Sequence, residues 1–217
     1  MNEPEPDEDL VRRFKAGESD AFTTLVQRHQ QRVYSVCMRV LGDADAAADV
    51  AQETFLTVLR KIDGFRGDAA FTTWLHRVAV NACYDELRRK RRRPMLHVVA
   101  DGDREHEPGP PVADHADEVA GARDAIAALA LIPEEFRVAL VLADVHDMAY
   151  EQIAHVLSVP IGTVKSRVHR GRLALGKAMG LEAGGAAGRE PAGREPAGRE
   201  PAGREPAAGP GASEVEP

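Results

Sequence analysis

The sequence predicts an all-α chain in which two small helical domains are joined by a flexible acidic linker, the second domain containing a helix-turn-helix. Three observations lead there. Apolar residues recur every three to four positions through residues 8–93 and again through 118–179, the period of an amphipathic helix. No segment alternates apolar and polar residues over a strand's length, and the β-branched residues sit at helical spacing. Between the two periodic stretches, residues 94–117 lose the pattern and fill with Pro, Gly, Asp, Glu and His, a composition that cannot bury enough surface to order itself.

Taken in order, residues 1–7 are an acidic extension, and a short helix follows that Gly17 stops. Ser19 is the expected cap of a second helix, in which Phe22, Leu25, Val26, Val33, Val36 and Val40 keep the period until Gly42. Asp43 is the expected cap of a third helix reaching about Ile62. Residues 64–68 form a loop, and Asp68 is placed to cap a long helix from about Ala69 to Arg92, which Pro94 closes.

Helical pattern resumes near Glu118. Pro133-Glu134-Glu135 marks a helix start, because proline suits the first turn and the helix dipole favours two acids there. Two further helices run from Met148 to about Ser158 and from Thr163 to about Met179, around the turn Val159-Pro160-Ile161-Gly162. Residues 180–217 carry a tandem five-residue repeat, Gly-Arg-Glu-Pro-Ala, across Arg189 to Pro206. So short a period with Pro and Gly in each unit builds no packed core and reads as disordered.

The whole-chain charge of −7 argues against nucleic-acid binding, yet its distribution reverses that. Residues 1–9, 94–120 and 181–217 together hold −14, which leaves +7 on the helical stretches. Cys37 and Cys83 sit inside helical apolar patterns and imply buried thiols, not a disulfide framework. No apolar run approaches the roughly 18 residues that cross a bilayer, and the N-terminus has no signal-peptide pattern, so a cytoplasmic protein without membrane insertion is expected. Enzyme chemistry finds no support. His97, His106 and His115 stand nine apart in the linker, too loose for a metal site, and no phosphate-binding glycine loop or nucleophile motif occurs, so neither metal nor cofactor is expected.

Three faces carry what function the pattern shows. Tyr150 to Leu175 reads as a helix-turn-helix, with Ile153, Ala154 and Leu157 packing the first helix. In the second, Val164, Val168, Gly171 and Leu175 form one stripe, Gly171 permitting close approach. The opposite side displays Lys165, Ser166, His169 and Arg170, with Arg167 and Arg172 at its margins, groups suited to phosphates and base edges. The segment alone fits equally an amphipathic hairpin with a solvated basic face, or the DNA-binding unit of an ordinary repressor.

On the long helix, Trp74, Arg77, Asn81, Asp85 and Arg88 form a stripe beside the core positions Phe71, Leu75, Val78 and Ala82, and the helix ends in six consecutive cations, residues 88–93. A cation run can be simply a solvated helix end. An aromatic and an amide leading into it suit unstacked bases, with Arg88 and Arg89 tracking the backbone and the loop of Phe65, Arg66 and Phe71 offering a pocket for an extruded base. The third helix has a core stripe of Ala51, Phe55, Val58, Leu59 and Ile62, and a second face of Asp49, Gln52, Glu53, Leu56 and Arg60. That face is either ordinary solvated surface or a docking site for a protein.

Asp49-Val50-Ala51-Gln52-Glu53-Thr54-Phe55-Leu56, Phe71-Thr72-Thr73-Trp74-Leu75-His76-Arg77-Val78-Ala79-Val80-Asn81, Pro133-Glu134-Glu135-Phe136-Arg137, Tyr150-Glu151-Gln152-Ile153-Ala154 and Gly162-Thr163-Val164-Lys165-Ser166-Arg167-Val168-His169-Arg170 together resemble extracytoplasmic-function sigma factors of bacterial RNA polymerase. The motifs fall in family order in both domains. The resemblance implies a non-enzymatic initiation factor that binds core polymerase through its β′ and β subunits, reads promoter DNA and is held by an anti-sigma factor until a stress or envelope signal. It implies that Asp49, Gln52, Glu53 and Leu56 grip the β′ clamp helices. Phe65, Arg66, Phe71, Trp74, Arg77, Asn81, Arg88 and Arg89 would melt and read the −10 element, and Thr163, Lys165, Ser166, Arg167, His169 and Arg170 would read the −35 element. The linker would thread toward the polymerase active-site channel. Two departures stand out: Ser158 occupies a turn position where glycine is common, and the repeat tail has no counterpart in the family pattern. A regulator that binds its operator unaided is the competing reading.

Overall fold

The computed structural model describes residues 5–92 and 116–180; residues 93–115, with the three linker histidines, and 181–217, with the repeat, lie outside them. Among the described residues there are eight α-helices and no strand. The first domain holds α1 (Asp7–Lys15), α2 (Ser19–Leu41), α3 (Ala44–Lys61), a 3-10 turn (Ile62–Gly64) and α4 (Phe71–Arg92). The second holds α5 (Ala116–Ala130), α6 (Glu134–Leu140), a π-helical turn (Val141–Val145), α7 (Tyr150–Leu157) and α8 (Ile161–Ala178).

Helix α2 is the axis of the first domain, with α1, α3 and α4 packed around it. Its Leu25, Val33, Val36 and Val40 are buried against Val50 and Val58 of α3 and Phe71 and Leu75 of α4. Cys37 and Cys83 meet in this core with their sulfurs 3.7 Å apart, both free thiols. The hydrogen bond to Cys37 and burial push the Cys83 thiol up in pKa, so it stays protonated and inert.

The helix ends follow local chemistry in some places and distant residues in others. Gly42 closes α2 in the left-handed region at φ 69°, its N–H donating to Met38 O at 2.9 Å. Asp43 Oδ1 then accepts the Ala46 N–H at 3.0 Å, the cap expected for α3. Two other expected caps are corrected. Ser19 lies inside α2, with Glu18 at the cap position and no side-chain bond there. At α4, which begins at Phe71, the Phe71 N–H donates to Glu8 Oε1 of α1 at 3.1 Å, so the capping carboxylate is not that of Asp68. Leu59 is a third correction, since it is 43% exposed while Ala47, Val50, Ala51, Thr54 and Val58 form the buried arc of α3.

In the second domain, α8 crosses α6 at close range, because Gly171 has no side chain: a Cβ there would stand 3.0 Å from Phe136 O and 3.1 Å from Leu140 Cβ. Val164 and Val168 are buried on the same stripe, as the spacing predicts. The turn into α8 is short. Pro160 occupies the cap position, and Ser158 ends α7 in the left-handed region at φ 55°, ψ 45°. A non-glycine residue in that conformation costs about 1–2 kcal/mol. Ser158→Gly is therefore expected to raise the unfolding free energy by about 0.5–1 kcal/mol, the relief exceeding the extra chain entropy of glycine. A urea midpoint that fell in this variant would contradict the reading.

The two domains also touch. Helix α7 lies against α4 and α5 against α2, and the core of the first domain runs on into Val138, Leu142, Ile153 and Val156 of the second. Arg137 of α6 is buried and donates to Val40 O at 2.6 Å across the boundary, and to Ile132 O at 3.0 Å and Ala130 O at 3.3 Å within its own domain. Burial lowers its pKa, but the guanidinium is surrounded by acceptors. The rings of His76 and His146 meet 5.5 Å apart on the same boundary, and Arg91 pairs with Glu134.

Candidate nucleic-acid interface

The exposed side of α8 is built by the same periodicity that buries Val164 and Val168. Lys165, Ser166, His169 and Arg170 stand exposed in one row, and Thr163 is half-buried at the first turn. Arg170 lies with its guanidinium carbon 5.7 Å from the centre of the Phe136 ring, a stacking that aims the group along the surface. Arg167 is half-buried and reaches Glu135 Oε2 at 3.3 Å. Arg172 is held by Asp144 in two bonds, at 2.9 and 2.7 Å, so its fork is already occupied. Four side chains are thus exposed, with Arg170 resting against the Phe136 ring, while Arg167 and Arg172 are tied to carboxylates.

Helix α4 shows three faces where the sequence pattern distinguishes two. One is the core face. A second presents Arg77, Asn81, Asp85 and Arg88, all exposed, with Trp74 half-buried at its start. The third, with His76, Tyr84 and Arg91, meets the second domain; burial raises the Tyr84 pKa above its ordinary value. At the N-terminal end, Phe65 packs edge-on to Phe71 at 5.8 Å and lies 5.4 Å from Trp74, while Phe71 and Trp74 are 5.9 Å apart. Phe71 is buried, Phe65 half-buried and Arg66 exposed, so of the three only Phe65 and Arg66 present reachable side chains.

The cation run is less free than its charge suggests. Arg88 pairs with Asp85 at 2.9 Å, Arg89 with the buried Glu86 at 2.6 Å and Lys90 with Asp43 at 2.9 Å. The last bond, with the Ala46 amide as the larger cause, holds the Asp43 carboxyl below its usual range. Asp85, Arg88, Arg89 and Arg92 nevertheless surround one shallow depression, a place for a phosphate to displace weak surface pairs.

On α3, Asp49, Gln52, Glu53 and Leu56 are exposed together. Glu53 pairs with Arg60. Gln52 and Leu56 belong to a larger apolar groove between α2 and α3, which also takes in Phe22, Val26, Tyr34, Phe55 and Leu59. Leu56 and Leu59 are 45% and 43% exposed, a patch that in a free surface marks a place for another protein. The α2 half of this groove was not legible in the sequence, where Phe22 and Val26 read simply as members of the apolar period of α2; both are half-buried and line the groove.

Comparison with known proteins places the chain in a family. A model described as sigma-70 region 2 matches residues 25–93, and one described as sigma-70, region 4 matches residues 122–175. The chain is 39% identical over 186 residues to the RNA polymerase sigma-H factor of Pseudomonas aeruginosa, covering 81% of this chain and 94% of that protein. It is 35% identical over 186 residues to the ECF RNA polymerase sigma-E factor of Escherichia coli K12, covering 81% and 95%. Among solved structures it matches CnrH in complex with the cytosolic domain of CnrY, with TM-score 0.59, 24% identity and coverage of 82% and 99%. The sigma factor RpoE bound to the anti-sigma factor NepR from Bartonella quintana gives TM-score 0.58 at 22% identity, covering 74% and 98%.

Proposed function

Because the chain belongs to the extracytoplasmic-function (ECF) family of RNA polymerase sigma factors, we propose that its three exposed faces divide promoter-specific initiation among them. The face of α3 with Asp49, Gln52, Glu53 and Leu56 docks on core polymerase, where the apolar groove beside it adds buried area that charge alone cannot supply. The second face of α4, with Phe65 and Arg66 in front of it, reads and opens the −10 element. The row Lys165, Ser166, His169 and Arg170 reads the −35 element in the major groove. The observation that carries this reading is that both DNA faces remain exposed although the two domains share a core.

Elements about 25 base pairs apart span roughly 85 Å of B-form duplex, at 3.4 Å per base pair. Two domains packed α7 on α4 cannot reach both, so the packed form is the polymerase-free form, and docking separates them. A partner that covers the α2–α3 groove while the domains are closed would hold the factor inactive, which fits an anti-sigma factor of the kind bound to the solved relatives. No helix of the described residues is long and apolar enough to cross a membrane, in keeping with work beside polymerase in the cytoplasm.

Run-off transcription with purified core polymerase tests the proposal. Promoter-specific transcript is expected only when both core and this protein are present, and the protein alone should not protect promoter DNA. Arg170→Ala should cost about 1–3 kcal/mol at one upstream position and leave other positions alike. Specific operator protection without polymerase would favour an ordinary repressor instead.

A further inference from the structure

The loop between the 3-10 turn and α4 carries Phe65 and Arg66 yet has little to hold it in place. Arg66, Gly67, Asp68 and Ala70 are exposed, and Gly67 lies at φ 80°. Its ends carry main-chain bonds, Phe65 N–H to Ile62 O at 3.0 Å and Thr73 N–H to Ala70 O at 3.0 Å, and each end is also tied by a side chain of α1. Lys15 Nζ donates to Phe65 O at 2.7 Å and to Asp63 O at 3.1 Å, closing the start of the loop. Glu8 Oε1 accepts the Phe71 N–H at 3.1 Å, closing its end. Helix α1 is itself fastened to α2: Asp7 accepts from Arg28 at 2.5 Å and pairs with the buried His29 ring at 2.7 Å. Arg13 binds Glu18 at 2.8 Å.

From these contacts we infer that Lys15 and Glu8 are positioning residues for strand opening, a short brace through which α1 holds the Phe65–Arg66 loop ready to receive an unpaired base. The inference rests on the proposed role of that loop. Its physical basis is preorganisation. A base leaving the duplex forfeits its stacking, and a replacement surface recovers that only if it already stands at the right place and angle. Phe65 can do so because its own main-chain carbonyl is gripped by an ammonium while its ring leans on Phe71 and Trp74. With the grip removed, the exposed loop samples other positions, and only a fraction of molecules are competent at any moment.

The test uses full-length protein reconstituted with core polymerase, comparing Lys15→Met, Glu8→Met and the double variant with Lys15→Arg and Glu8→Gln. The latter two keep a donor and an acceptor respectively. Permanganate reactivity of thymines is read on duplex promoter and on a pre-melted bubble, with core affinity and closed-complex affinity measured in parallel. Lys15→Met and the double variant are expected to lose opening of the duplex on the order of tenfold, the scale of a lost charge-assisted bond. On the bubble they should work within about twofold of the parent, and the two conservative variants should recover duplex opening to a similar margin. A general folding defect would instead lower core affinity and bubble activity together. That result, or normal duplex opening by the double variant, would overturn the brace. Phe65→Ala serves as the reference: if it opens the duplex normally, the role of the loop itself is wrong and the brace falls with it. If Phe65→Ala fails while the double variant opens normally, only the brace is overturned.

Discussion

Replacing Arg137 with methionine is expected to lower the unfolding free energy by about 3 kcal/mol, the cost of leaving buried carbonyls without a partner at about 1–3 kcal/mol each. The guanidinium serves three of them. Val40 is the next-to-last residue of α2, and its carbonyl is among those that a helix end leaves without a donor of its own. Ala130 and Ile132 flank the turn between α5 and α6, and their carbonyls take the same fork at 3.3 and 3.0 Å. One planar group therefore closes a turn in its own domain and caps a helix of the other. Lysine cannot reproduce this, because its single ammonium nitrogen cannot span the fork, so Arg137→Lys should recover less than half of the loss. Urea unfolding measures both variants, and an Arg137→Met midpoint equal to that of the parent would contradict the account. Small-angle scattering on the same protein should show a larger radius, since the Val40 bond joins the domains.

Arg137 also shows where the sequence is readable and where it is not. Its motif was visible, with Pro133 and the two glutamates marking a helix start that the structure bears out at Glu134. Its burial was not, because nothing in a local period tells an arginine that it will meet a carbonyl 97 positions earlier. Gly42, Asp43 and Gly171 were legible for the opposite reason: a left-handed residue, a local cap and a close crossing each depend on neighbours that the pattern itself supplies. The caps placed at Ser19 and Asp68 failed together. A strong capping residue is a local signal, and at α4 a carboxylate 63 positions away in α1 took the role. Leu59 misled because α3 has a wider apolar arc than the domain buries, and the excess is part of the open groove. The exposed rows of α4 and α8 were readable because helical phase alone separates them from the buried stripes. The third face of α4 was not, since His76 and Tyr84 look like ordinary members of an amphipathic helix until a second domain is laid against them.

Acid should loosen that contact, and the effect is the other large one. His76 Nδ1 lies 2.6 Å from Thr72 O, which fixes the proton on Nδ1, while Nε2 is enclosed with no hydrogen-bond partner among the described residues. His146 places Nε2 3.5 Å from Ser35 Oγ, and its carbonyl receives Arg32 at 3.4 Å. The charged and titratable groups around the pair are Arg32 and Arg39 of α2, with His29 further off, so a proton arriving here meets only positive neighbours. Burial, then those neighbours, push the His146 pKa down from 6.5 to about 4, and burial likewise lowers that of His76. The packed form therefore holds both rings neutral, whereas an opened or unfolded chain would protonate them at ordinary values near 6.5. Above that pH the contact has its full stability. As pH falls from 6.5 toward 4, the open state alone takes up protons, and the loss from His146 reaches on the order of 3 kcal/mol before the packed ring titrates too. Carboxylates titrate over part of the same range, so the informative quantity is a difference between proteins. Urea unfolding from pH 7.5 to 4.5 should show a shallower decline for His146→Phe than for the parent, because the phenyl ring fills the same space and binds no proton. Equal slopes would mean that the pair is not what the acid acts on, whereas a shallower one identifies the buried His146 ring at the domain boundary as a group through which acid destabilises the fold.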